Sequence, residues 1–197
     1  MRRLRSTTMA LLVFASTASS FGQTAAGQAG APWVTLFDGT SLDGWTNVGT
    51  ANWKLADGAA QANQGVGFLL SKDSYADFEI RAELWVDAEA NSGIFIRCSD
   101  PAKISPSTAY EVNVFDKRPD PTYGTGAIVN VAKVSPMPKA EGKWNVLEIT
   151  AKGPRLTVTF NGTRTVDVQD TAHASGPFAL QYSAGVVKFR KIQIRPL

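Results

Sequence analysis

The sequence predicts an all-β domain, a sandwich or jelly roll of two antiparallel sheets, and three observations carry that prediction. Short segments that alternate apolar with polar residues recur about a dozen times, as half-buried strands do. Gly, Pro, Asn and Asp punctuate them at regular spacing, as in sandwiches and barrels. Beyond the N-terminal segment no stretch shows the 3.6-residue period of a helix. The 197 residues suffice for one domain with its own core, and no repeat or linker divides them.

The chain opens with MRRLR, then the short apolar run MALLVFASTA and the small-residue stretch ASTASSFGQTAA. This is the pattern of a signal peptide and leader over residues 1–26, with cleavage expected at about 18–26. The apolar run is too short to span a bilayer, and no cysteine lies there to carry a lipid, so no membrane anchor is expected. Export to the periplasm or outside the cell follows. Three of the 20 basic residues sit in this segment, and the rest are level with the 17 acidic ones. The basic pI near 9.1 therefore belongs largely to the leader, and nucleic acid is not an expected partner. No oligomeric state follows from composition.

The single domain is expected over residues 33–197. WVTLF and the turns of DGTSLDGW open it. NWKL-ADG-AAQA reads as a hairpin about Asp57-Gly58, and RLTVTF-NG-TRTVDV as another about Asn161-Gly162, since these pairs accept the positive φ of tight hairpin turns. GFLLS is a short apolar strand. In DFEIRAELWV, Phe78, Ile80, Ala82 and Leu84 share one face, and Glu79, Arg81, Glu83 and Trp85 the other. TGAIVNV is expected as a further short strand. VVKFRKIQIRPL closes the domain with Val187, Phe189, Ile192 and Ile194 as apolar contacts, and with Lys188, Arg190 and Lys191 on a solvated edge.

The candidate site lies in NSGIFIRCSDPAKISPSTAYEVNVFD, residues 91–116, read as two strands joined by a Pro/Ser-rich loop. Alternation puts Ile94, Ile96 and Cys98 on one face and Phe95 and Arg97 on the other. In the second strand Val112 and Val114 oppose Glu111, Asn113 and Phe115. If the aliphatic faces pack inward, Arg97, Glu111, Asn113, Phe95 and Phe115 share an outer face suited to a sugar. Glu79, Arg81 and Glu83 are placed on a possible neighbouring strand. On alternation alone the ordinary reading stands ahead: a solvated sheet face laced with cross-strand ion pairs. Of the five tryptophans, Trp33, Trp45 and Trp53 read as core, while Trp85 and Trp144 are the candidates for sugar-facing platforms.

Other chemistries are sparse. Cys98 is the only cysteine and His173 the only histidine, which rules out an internal disulfide and a histidine-rich metal centre. Cys98 reads as a small buried hydrophobe and His173 as a loop residue. GTGA at 124–127 lacks the lysine of a phosphate-binding loop. Asp116 and Asp120 form only a loose acidic group.

The ordered motifs LFDGTSLDGW, DFEIRAELWV, NSGIFIR, YEVNVFD, TGAI, GKWN, FNG and LQY, with the closing VVKFRKIQI, resemble the bacterial 3-keto-disaccharide hydrolase domain family. These are exported, concanavalin-like jelly rolls, and the resemblance runs from Trp33 to Leu197. It matches Asn91, Ser92, Gly93 and Arg97 to one family motif, Tyr110, Glu111 and Asp116 to a second, and Gln181 to a third. Asn113 stands for a glutamine. Ser183 stands where a histidine often follows Gln181, which argues against a histidine-dependent mechanism. Lys191 replaces an asparagine.

The resemblance implies cleavage of glycosides whose sugar carries a 3-ketone, so the expected partner is an oxidised saccharide or other glycoside. A base must take the C2 proton, and a positive or hydrogen-bonding group must hold the enolate oxygen. Glu111 is the expected base and Arg97 the expected stabiliser. Asn113 and Gln181 would position hydroxyls, with Trp85, Trp144 and Phe95 against the sugar. The sequence singles out no cofactor; a divalent metal could replace or assist Arg97, and the sequence does not decide this. A retaining glycosidase would instead need a second acid, Glu83 or Asp116, about 5–5.5 Å from Glu111. A lectin-like binding module on the same fold is the alternative to an enzyme.

Overall fold

Tight turns connect strands that pair into two sheets facing each other across one apolar core. The computed structural model describes residues 31–197, so the expected signal peptide lies outside the described residues. In chain order the strands are β1 (Val34–Phe37), β2 (Trp45–Gly49), β3 (Lys54–Ala56), β4 (Ala59–Ala62), β5 (Gly67–Ser71), β6 (Phe78–Val86), β7 (Asn91–Ile96), β8 (Tyr110–Val114), β9 (Trp144–Lys152), β10 (Arg155–Phe160), β11 (Thr163–Gln169), β12 (Ala179–Ala184) and β13 (Val187–Pro196). A single 3₁₀ turn at Pro121–Tyr123 is the one helical element among the described residues.

The larger sheet runs β11-β10-β9-β6-β13-β4-β3, with β1 also pairing β13; the smaller runs β2-β5-β12-β7-β8. The strand pairs are antiparallel, as the jelly-roll prediction requires. Both turn pairs form as expected. Asp57 and Gly58 take φ of 51° and 70°, and Asn161 and Gly162 take 49° and 79°, joining β3 to β4 and β10 to β11.

Alternation decides what each sheet contributes inward. Phe78, Ile80, Ala82, Leu84 and Val86 of β6 meet Ile94 and Ile96 of β7, Val112 and Val114 of β8, and Leu180 of β12 in the core. Each such side chain contributes roughly 1.5–3 kcal/mol when withdrawn from water. Trp45 is buried there edge-on to Phe178, and Trp53 packs on Tyr182 and Phe189.

Three expectations are corrected. TGAIVNV is not a strand: Ile128 makes isolated bridges to Val112 and Ala132 while the segment turns beside β8. The basic run in β13 is not on an edge, because β13 lies inside the larger sheet between β6 and β4. Its alternation also breaks at Lys191, whose φ of 51° accompanies a register shift between Arg190 and Gln193. That extra residue is what lets both Phe189 and Ile192 reach the core.

One loop lies over the outer side of the smaller sheet, and a second segment runs along its β8 edge. The 98–109 loop is braced by Ser99 and Thr108, whose hydroxyls donate to the carbonyls of Thr108 and Lys103 respectively. The 115–140 segment is anchored by Asp116, whose carboxylate accepts from the Thr125 hydroxyl and from the amides of Ala140 and Glu141. Asp116 thus ties down a loop, and its filled valences leave it no part as a second catalytic acid.

Candidate active site on the outer face of the smaller sheet

Register places three polar side chains on one face, from β12 and from β8 on either side of β7. Gln181 of β12 lies opposite Gly93 of β7, which lies opposite Asn113 of β8. Two residues along, Ala179, Phe95 and Glu111 form the next row on the same face. Side chains from β5, Phe68 and Leu70, extend both rows.

Gly93 makes the arrangement possible. A Cβ there would stand 2.8 Å from the Val112 carbonyl oxygen and 3.4 Å from Gln181 Oε1. The missing side chain is the gap over which the Gln181 amide folds toward Asn113. Asn113 is fully buried. Its Nδ2 donates to the Tyr123 carbonyl at 2.7 Å, which fixes the amide orientation and leaves Oδ1 without a partner. Gln181 Oε1 is likewise buried and unpartnered. Such orphaned acceptors cost about 1–3 kcal/mol each and are rare away from functional sites.

Glu111 is 6% exposed. Burial pushes its carboxyl up to about 7 from the ordinary 4.5, and only the Arg118 charge opposes this. Among the described residues no hydrogen bond stabilises its charged form. A carboxyl poised near neutrality in a partly dry setting is what a general base requires. Arg118, half-buried in the loop that leaves β8, forms no ion pair among the described residues. Sequence reasoning passed over it; the signal was a cation soon after the strand that carries Glu111.

Arg97 is not in this site. It takes φ of 53°, a left-handed conformation that ends β7 and turns the side chain away from the Phe95 face. Its guanidinium is 2% exposed and donates to the carbonyls of Ala76, Gly153 and His173 and to Asp77 Oδ1. All its donor capacity stitches three connecting segments together. The same turn moves Cys98 from the Ile94/Ile96 face into a second cluster with Phe95, Leu70, Ala109 and Ala179. It is buried as expected, and burial raises its thiol to about 12. His173 is the loop residue expected, packed against the Tyr110 ring at 4.8 Å.

Trp85 and Trp144 are not in the site either. They pair across β6 and β9 on the outside of the larger sheet, beneath Lys188 and Arg190 respectively. Glu79, Arg81 and Glu83 share that remote face and pair with Arg195, Glu148 and Arg190. Glu83 therefore cannot serve as a second acid beside Glu111. Phe95 lies on the site's face at 1% exposed, held edge-on by Phe68 at 5.3 Å, and supports the floor.

The group thus offers a base and two amide oxygens, suited to sugar hydroxyls or to a hard cation. Among the described residues no cluster of three His, Cys, Asp or Glu side chains is placed to hold a metal.

Solved structures share this architecture. A candidate glycosyl hydrolase from Parabacteroides distasonis ATCC 8503 superposes with a TM-score of 0.71 at 24% identity, covering 84% of this chain and 100% of that one. A second from the same organism gives 0.75 at 17% identity, over 84% and 94%. The carbohydrate binding module CBM66 from Bacillus subtilis gives 0.60 at 20% identity, over 77% and 95%. These likenesses establish the jelly-roll fold. No curated protein matches the sequence. The family-wide sequence pattern of the 3-keto-alpha-glucoside-1,2-lyase-like domain matches residues 32–195. The chain belongs to that family, and its function lies in carbohydrate chemistry.

Proposed function

We propose that the protein cleaves 3-keto-glycosides by elimination and hydration, with Glu111 as the base. The observation that carries this reading is the buried, unbonded Glu111 carboxyl beside two unpartnered amide oxygens on one sheet face. A ketone at C3 acidifies the C2 proton. Glu111 takes that proton, the electron pair forms the C1=C2 bond, and the C1–O bond breaks. The leaving oxygen takes the proton back from Glu111, directly or through a water, and departs as the aglycone alcohol, leaving Glu111 a carboxylate again. Water then adds its hydroxyl to C1 and a proton to C2, giving the free 3-keto sugar.

Arg118 takes the role the sequence assigned to Arg97, holding the negative charge that develops on the C3 oxygen. Asn113 Oδ1 and Gln181 Oε1 accept from sugar hydroxyls. The basic and apolar N-terminal segment supports export, so the substrate is met outside the cytoplasm; cell fractionation tests that. The reaction is tested by incubating the protein with a 3-keto-glucoside and following aglycone release. Turnover by the wild type and its loss in Glu111→Gln support the reading. Sugar binding without turnover would make the same face a lectin-like module.

A further inference from the structure

The two flanks of the Gln181–Asn113 row differ in kind. On the Asn113 side stand the charged and polar groups: Glu111, the Tyr123 carbonyl and Arg118. On the Gln181 side a cleft of about 280 Å³ opens between β2, β5 and the 98–109 loop. Its walls are Val48, Val66, Phe68 and Ile104, with Lys103 at the rim and Gln181 and Ser183 where it meets the polar row. Val66 is 56% exposed there, one of few large apolar side chains left open among the described residues.

We infer that this cleft holds the aglycone of the substrate and that the aglycone is apolar and flat, an aryl group and not a second sugar. The inference rests on the reading of Glu111 as the base at C2. With the oxidised ring over Glu111 and Asn113, the leaving group points along the row toward Gln181, which lines the cleft. A sugar would leave most of its hydroxyls facing four hydrocarbon side chains. An aryl ring would remove those side chains from water and need no partner beyond Gln181. Phe68, half-buried and held edge-on by Phe95, offers one rigid aromatic wall.

The test compares benzyl (the aryl compound), methyl and glucosyl aglycones on the same 3-keto-glucose, whose alcohols are all poor leaving groups. The wild type should favour the aryl compound over the glucosyl one by about tenfold or more in kcat/KM, the range an apolar pocket supplies. Val66→Asp, at an exposed position where folding is not at issue, should lower the aryl-to-methyl ratio about tenfold. Equal handling of aryl and glucosyl compounds, or an unchanged ratio in Val66→Asp, overturns the inference. Affinities of the three compounds for Glu111→Gln, measured by calorimetry, separate the two readings. A tenfold aryl preference in binding without wild-type turnover would sink the base assignment and keep the aglycone cleft. Turnover without any aryl preference would do the reverse.

Discussion

The outer faces of the two sheets carry the same sequence pattern and reach opposite ends. Outside the larger sheet the arginines have carboxylate partners: Arg81 with Glu148, Arg190 with Glu83, Arg195 with Glu79. The tryptophans there are also covered: Trp33, expected in the core, lies here under Arg81 and Arg195, Trp85 under Lys188 and Trp144 under Arg190. Outside the smaller sheet Glu111, Asn113 and Gln181 keep open valences although loops shield them from water. Polar residues at alternate positions therefore do not mark a site. A buried carboxyl without a hydrogen bond beside two unpartnered amide oxygens on one face is the better marker, since a ligand there would offset the desolvation, whereas the unpartnered indole N–H groups of Trp45 and Trp53 lie singly in the core.

The sharpest break in this comparison is expected from matched carboxylate variants. Glu111→Gln should lower the rate of aglycone release about 10³-fold, within the range a general base contributes. Glu83→Gln on the opposite face should leave it within about twofold. Steady-state kinetics on a 3-keto-glucoside decides, and equal losses in both variants would remove Glu111 from its role.

Arg97 tests the assignment from the other side. Arg97→Met leaves the carbonyls of Ala76, Gly153 and His173 without their donor and should cost about 3–5 kcal/mol in urea unfolding. Turnover per folded molecule should change little. A large fall in kcat with unaltered stability would restore Arg97 to the chemistry.

The pH dependence follows from Glu111. Its folded-state proton is held more tightly than in the unfolded chain, at about 7 against 4.5. Stability from this group is therefore full below about pH 4.5 and declines as pH rises toward 7, by roughly 2–3 kcal/mol. Unfolding of wild type and Glu111→Gln at pH 5 and pH 8 measures it; the variant should lack this decline and be the more stable of the two at pH 8. Activity should run the other way, rising with pH through about 7 as the base ionises. A wild-type stability that rises over this interval would contradict the buried carboxyl.

Gly93→Ala should cost about 1–3 kcal/mol, because the added methyl meets the Val112 carbonyl and pushes on Gln181. It should also raise KM by displacing that amide. The smallest effect belongs to the larger sheet. Breaking the Arg190–Glu83 pair by Glu83→Gln should change stability by less than about 1 kcal/mol, and less still in high salt.

Much of the fold was legible because its signals are local. A period of two sorts side chains to the faces of β6 and β8, and Asp-Gly and Asn-Gly close hairpins through backbone geometry alone. Glu111 and Asn113 share a strand, so alternation found them together. Arg97 was misplaced because one left-handed residue resets the alternation, and no pattern of hydrophobicity reports that φ. Arg118 was missed because loop residues have no period to read.

The sequence by itself determined the all-β class, the two tight turns and which residues of each strand share a face, since these depend on neighbours along the chain. The tertiary structure decided which faces meet. It set β12 between β5 and β7 and so brought Gln181 across from Asn113, and it sent β6 with Trp85 to the other sheet. Strand pairing between distant segments is chosen by the packing of the whole core, which alternation within a single strand cannot encode. Among the residues at 91–116 it kept Glu111 and Asn113 on the site's face and made Arg97 a clamp.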